Sequence, residues 1–128
     1  MNDLVLCPIY TIYGIRLKNT PEYRYIGLTT KHLDKRIYQH LWNSKKDNPT
    51  LPVHKWLKKH AGDFTVDVIQ LVHNDVVYLS YCEIFWISVY RNIGHRLLNL
   101  DKGGFGGLGR SISLEQRLEH SQKNVWAG

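Results

Sequence analysis

Residues 9–28 read IYTIYGIRLKNTPEYRYIGL, and this stretch decides the fold. Its first part, IYTIYGIR at 9–16, is rich in Ile, Tyr and Thr, side chains that fit a pleated, half-buried surface, and reads as a strand. KNTPE follows as a polar turn. YRYIGL at 23–28 reads as a second strand, and two strands so close in sequence predict an antiparallel hairpin. Working outward, Thr29 or Thr30 is placed to cap a helix running to about Ser44, with Leu33, Ile37, Leu41 and Trp42 at helical spacing. LPVHKWLKKH at 51–60 suits a short helix with Pro near its start, and Gly62 stops it. FTVDVIQLV at 64–72 alternates apolar and polar residues as a third strand. Asn74 or Asp75 caps a long helix to about Arg91, whose apolarity on all sides predicts a buried central helix. The expected class is α+β: a small three-stranded antiparallel sheet flanked by helices.

With 128 residues, the chain is long enough for one domain with a modest core. Hydrophobic residues make up 43% and charged residues 22%, an ordinary soluble composition that speaks against disorder. Seventeen Lys and Arg face eleven Asp and Glu, a formal net charge of +6. A basic surface attracts polyanions, so nucleic acid is the first partner to consider and an anionic membrane the second. Cys7 and Cys82 form neither a CxxC pair nor a disulfide framework and read as buried reduced thiols. MNDLVLCPIY lacks the basic start of a signal peptide, and the apolar run Val76 to Tyr90 is too short to span a bilayer. These features predict a cytoplasmic protein with no membrane partner.

Three features carry chemistry. Glu83 is the only charged residue between Val76 and Tyr90. A carboxylate in so apolar a helix needs a partner, either a structural cation or shifted ionisation, or a divalent metal at the mouth of a cleft. Arg36 and His40 stand at i and i+4, on one helix face. There Arg36 can clamp a phosphate and His40 can relay a proton, although a solvated helix face has the same pattern. Tyrosines occupy both hairpin strands, Tyr10 and Tyr13 on the first, Tyr23 and Tyr25 on the second; strand packing is their default reading.

Taken in order, IYG at 12–14, YIG at 25–27, Arg36, His40, Glu83 and Asn99 resemble the GIY-YIG nuclease family, of the homing-endonuclease or phage type, over about residues 9 to 107. Tyr25 follows Tyr13 by 12 residues, Arg36 follows Tyr25 by 11, and Asn99 follows Glu83 by 16. YCEIFWI and LLNLDKGGFGG also look like the family's metal-binding helix and the segment after it. The resemblance implies a DNA endonuclease dependent on Mg2+, with Mn2+ as a substitute and RNA as a second candidate substrate. In it, Tyr13 and Tyr25 match the motif tyrosines, one of which activates or orients the attacking water. Arg36 matches the arginine that stabilises charge on the phosphorane-like transition state, and His40 a position that assists proton transfer. Glu83 matches the sole protein carboxylate holding the metal, and Asn99 a polar residue supporting the site. It further implies a bacterial or phage-infected host cell, and a dimer on DNA where both strands are cut.

The pattern departs from the family in three places. Thr11 stands where the first motif usually has glycine. A second register places Pro8-Ile9-Tyr10 on that motif and makes Tyr10 the catalytic tyrosine; Tyr10 and Tyr13 differ by an odd number and so face opposite sides of a strand. Leu28 stands where many members carry lysine, with Lys31 as a substitute. A tyrosine base needs its pKa lowered from near 10, which Arg36 and the metal could do, while His40 is the alternative base with a better-matched pKa.

Residues 1–107 are the expected nuclease domain and 108–128 a linker and helix. That tail opens on a capping box, Ser113 to Gln116, and reads either as the start of a DNA-binding module or as a solvated helix. The glycine run GGFGGLG is no P-loop, since no GK[ST] follows; it reads as a flexible link that lets backbone approach phosphate. The rival readings are a non-cleaving nucleic-acid-binding module on a nuclease-like fold, a histidine-based metal nuclease, for which the seven histidines lack HExxH spacing, and a structural zinc protein.

Overall fold

In the computed structural model, residues 8–100 and Gly103 are described. Six elements follow in order: β1 (Ile9–Leu17), β2 (Tyr23–Thr29), α1 (Leu33–Ser44), α2 (Pro52–Lys59), β3 (Phe64–His73) and α3 (Val76–Asn92). The strands form one antiparallel sheet in the order β2-β1-β3, so the expected α+β class holds.

The hairpin register explains the two motif glycines. Tyr13 pairs with Gly27 and Gly14 with Ile26 across β1 and β2. A β-carbon on Gly14 would stand 2.6 Å from the Tyr23 ring, and one on Gly27 would run into the Tyr13 hydroxyl and the Tyr25 ring. Each glycine therefore sits where an aromatic ring from the hairpin needs the space. The register shifts between Ile15 and Arg16, opposite Arg24. This bulge turns Tyr23 and Tyr25, two residues apart, into different layers.

Strand alternation then builds two cores. Tyr10, Ile12 and Ile26 face α3, where they meet Leu79, Cys82 and Ile87. Tyr13, Ile15 and Tyr25 face the other way, against Leu33 and Ile37 of α1 and Val53, Trp56 and Leu57 of α2. The sheet is thus the middle layer of three. Burial of each fully covered Ile or Leu contributes up to about 1.5–3 kcal/mol, and that gain holds the helices on both faces.

Several boundaries differ from expectation for local reasons. Neither Thr29 nor Thr30 caps α1; the N-cap position is His32, with no side-chain cap. Thr29 Oγ1 instead accepts from the Lys31 N–H at 3.0 Å, closing the turn that leads from β2 into α1. Asp75 does cap α3, its Oδ1 accepting from the Tyr78 N–H at 2.9 Å. Trp42 is not a core residue but lies exposed on the outer side of α1. Nor is α3 sealed all round: Tyr78, Tyr81 and Phe85 are exposed along one side. A three-stranded sheet is too narrow to cover more than one face of a helix. Cys82 is a buried free thiol. Among the described residues, no helix is long and apolar enough to cross a membrane. Cys7, the boundary near residue 107, the Ser113–Gln116 box, the tail, and all of the glycine run except Gly103 lie outside the described residues.

Candidate active site

Four of the six residues singled out in the sequence converge where α1 lies over β1 and β2. Tyr13 is delivered by the face of β1 that points at α1, and Tyr25 by the same face of β2. Their rings stand 6.3 Å apart, and the His40 ring sits edge-on to both, at 6.1 and 5.4 Å. Arg36, one turn before His40, lies close enough to both tyrosines for its charge to act on them. One of its nitrogens also donates to Gln39 Oε1 at 3.3 Å. The i, i+4 spacing of Arg36 and His40 therefore puts both side chains on the sheet-facing side of α1.

Strand parity puts the two candidate tyrosines of β1 on opposite faces of the sheet. Tyr10 packs in the layer beneath α3, whereas Tyr13 lies in the layer with Arg36 and His40. Leu28 is part of the α3 layer, and Lys31 is exposed at the turn into α1.

Burial grades the cluster by depth. Tyr13 is 0% exposed and His40 2%, while Tyr25 and Arg36 are only partly covered. The hydroxyl of Tyr13 lies 2.8 Å from His40 Nε2. On the far side of the ring, His40 Nδ1 lies 3.0 Å from Nε2 of His54, which α2 contributes. Burial pushes the Tyr13 pKa well above the ordinary tyrosine range, and neighbouring Tyr25 adds to the rise. Arg36 pulls in the opposite direction without prevailing. Of the two influences expected to lower a tyrosine base, Arg36 and a metal, Arg36 does lower the Tyr13 pKa, while desolvation of the phenolate is the larger effect in the chain alone. His40 is pushed down to about 3 by burial, then by Arg36 and His54, so its imidazole is neutral at physiological pH. Burial also opposes the charge of Arg36, yet the facing Tyr13 and Tyr25 hold its pKa above the usual arginine value.

Glu83, on α3, is near enough for its charge to act on Tyr13. It is 5% exposed, and its negative charge contributes to the raised Tyr13 pKa. Gly103 lies against it. A β-carbon there would stand 3.2 Å from Glu83 Oε1 and 2.9 Å from Ile87 Cδ1, and the backbone has φ +107°. Both the conformation and the tight packing require glycine, whose backbone lies directly against the carboxylate. A single hard carboxylate suits a Mg2+-type ion, which takes one or two carboxylates and completes its shell with water and phosphate oxygens. Among the described residues, no three His, Cys, Asp or Glu side chains gather into a denser metal-binding group.

Asn99 is placed apart from the four-residue cluster. Its side-chain oxygen accepts from the Ile26 N–H at 3.0 Å, and its amide nitrogen donates to the Ile26 carbonyl at 2.6 Å. Arg91 donates to the Asn99 carbonyl at 2.6 Å, and the Leu98 N–H donates to the Arg24 carbonyl at 2.6 Å. Asn99 thus occupies the outer edge of β2 and fixes the backbone between Tyr25 and Gly27. Its contact is with main chain rather than with the tyrosines or Arg36.

His54 is the residue that the sequence reading passed over except as one of seven histidines. The available signal was its position in LPVHKW, next to Val53 and on the buried side of a short helix with Trp56 and Leu57. Its partner, 14 residues away, could not be read from that pattern.

Comparison with known families supplies one match: the family described as GIY-YIG catalytic domain matches residues 9–97. No curated protein and no solved structure matches the chain.

Proposed function

Since the chain belongs to the GIY-YIG family of endonucleases, we propose that it is a metal-dependent endonuclease that hydrolyses the phosphodiester backbone of DNA. The observation that carries this reading is the graded cluster itself: a firmly charged Arg36 at the accessible side, braced from behind by buried, neutral Tyr13 and His40. A fixed guanidinium in a partly dry site is suited to negative charge that grows on a phosphate during attack. The net charge of +6 supports a polyanionic substrate.

Depth assigns the roles. Arg36 and Tyr25, being accessible, are the groups that meet the substrate. Arg36 donates to a non-bridging oxygen of the scissile phosphate, and the Tyr25 hydroxyl orients the attacking water. The water oxygen bonds to phosphorus as it releases a proton to solvent, the bond from phosphorus to the 3′ oxygen breaks, and the departing oxygen takes a proton from solvent. Tyr13 and His40, sealed beneath, are positioning residues that hold the guanidinium in place. Glu83 would hold the divalent cation, Mg2+ or Mn2+; when bound, this ion supplies Lewis-acid charge to the phosphate. Asn99 keeps the Tyr25 strand edge in register.

Such a domain suits a homing-type or phage-encoded enzyme acting in the cytoplasm of a bacterium or infected host. One site of this kind cuts one strand, so a double-strand break would need two chains or two binding events. The test is incubation of supercoiled plasmid, and of RNA of matching sequence, with Mg2+, Mn2+ or EDTA. Nicking of the plasmid that requires metal and disappears in Glu83→Ala supports the proposal. DNA left intact with every metal favours the non-cleaving binding module instead, and cutting that survives either EDTA or Glu83→Ala removes the metal role.

A further inference from the structure

The three hydrogen-bonded rings end beside Arg36, and the positive charge at that end favours one direction for the whole series. Arg36 has donors only. Its positive charge acts on Tyr13, which favours a phenol oxygen that turns a lone pair, and not its proton, toward the guanidinium. A phenol hydroxyl lies near its ring plane, with its proton on one side and an acceptor direction on the other. With Arg36 on the acceptor side, the Tyr13 proton points to His40 Nε2, 2.8 Å away. His40 Nε2 must then be bare. A neutral imidazole carries one proton, so that proton sits on Nδ1 and points at His54 Nε2, 3.0 Å away. The reverse direction is opposed by charge: if His40 donated to Tyr13, the phenol proton would be turned toward the guanidinium, positive against positive.

We propose that His54 is a positioning residue for Arg36, acting as the terminal acceptor that holds His40 as its Nδ1–H tautomer and keeps the Tyr13 hydroxyl aimed away from the guanidinium. The series runs Tyr13 to His40 to His54, each group donating to the next, with the charge of Arg36 beside the Tyr13 oxygen. His54 is itself buried, 7% exposed on α2. Its acceptor role requires it to be neutral with Nε2 bare, and its pKa is lowered by burial, then by Arg36 and Lys46. The consequence is that α2, through His54, controls the orientation of the arginine on α1. This inference rests on the proposed cleavage reaction only for its rate effects; the tautomers are a property of the folded chain.

The deciding measurement is nitrogen NMR of the imidazoles in the full-length protein. The expected spectrum has both His40 and His54 neutral and protonated on Nδ1. A proton on Nε2 of either ring overturns the proposal, whether or not the protein cuts DNA. Single-turnover cleavage then reads the effect on Arg36. His54→Phe, which fills the space without an acceptor, should slow cleavage about 10- to 100-fold with little change in KM, the usual consequence of removing an outer hydrogen-bond partner. His54→Gln, which restores an acceptor but cannot titrate, should recover most of that loss. A His54→Phe protein that cuts at the native rate, or a His54→Gln protein as slow as His54→Phe, refutes the assignment. Inactivity of the native protein on DNA with an Nδ1–H spectrum would instead count against the nuclease reading and leave the hydrogen-bond series standing.

Discussion

His40 couples the site to the stability of the fold, and lowering the pH from 7 to 5 exposes that coupling. In the folded chain its pKa lies at about 3 instead of 6.5, because burial and the neighbouring Arg36 and His54 oppose its charge. As pH falls through 6.5, the unfolded chain takes up a proton at this position while the folded chain does not. The stability that His40 lends is therefore complete above about pH 6.5 and is lost progressively as pH falls toward 3. Each pH unit inside that window is worth about 1.4 kcal/mol, so the loss between pH 7 and pH 5 comes to about 2 kcal/mol. His54, also lowered by burial, acts in the same direction. Glu22 and Asp67, both held below the usual carboxylate range by arginine partners, stay ionised at pH 5 and do not contribute there. Urea unfolding of the native protein should show the midpoint falling by about 1 M between the two pH values. In His40→Gln, which cannot take a proton, most of that difference should vanish even though the variant is less stable at pH 7. An equal midpoint shift in both proteins would mean that His40 titrates normally in the fold, and the account of a dry, neutral imidazole behind Tyr13 would be wrong.

Other outcomes follow from the same geometry. Arg36→Ala should lower the single-turnover rate about 10²- to 10³-fold, the usual cost of deleting one charge-stabilising donor, while leaving Mn2+ binding measured by titration nearly unchanged. Asn99→Ala breaks both of its bonds to Ile26 and should cost about 1–3 kcal/mol in urea unfolding, with hydrogen exchange speeding up first at the Ile26 amide. Gly103→Ala must adopt a left-handed backbone and crowd Ile87 and Glu83, and should lose about 1–3 kcal/mol while weakening Mn2+ binding; unchanged metal affinity would detach Gly103 from the carboxylate site.

Periodicity and composition were enough to give the elements, because each depends on local chemistry. The Ile and Tyr runs made the hairpin, Asp75 marked the start of α3, and the i, i+4 spacing put Arg36 and His40 on one face. The ordered motif tyrosines, Arg36 and Glu83 were likewise visible as residues. What local pattern could not carry was anything set by which surface covers which. Trp42 has helical spacing with Leu33 and Ile37 yet points to solvent, since the sheet covers only the side of α1 that carries Arg36 and His40. The all-apolar look of α3 likewise concealed an exposed row from Tyr78 to Phe85.

The depth of the site belongs to the same class of tertiary decision. By itself the sequence determined which side chains are available: two motif tyrosines, an arginine and a histidine one turn apart, one acid in an oily helix, and glycines at Gly14 and Gly27. Strand parity even set Tyr10 and Tyr13 on opposite faces. Only the packed structure decided that Tyr13 and His40 are sealed while Arg36 and Tyr25 stay accessible, that Asn99 grips main chain, and that His54 completes the row behind them. Ionisation and hydrogen-bond direction depend on how much water and which charges remain near a group after folding, and those are fixed by contacts between residues far apart in the chain.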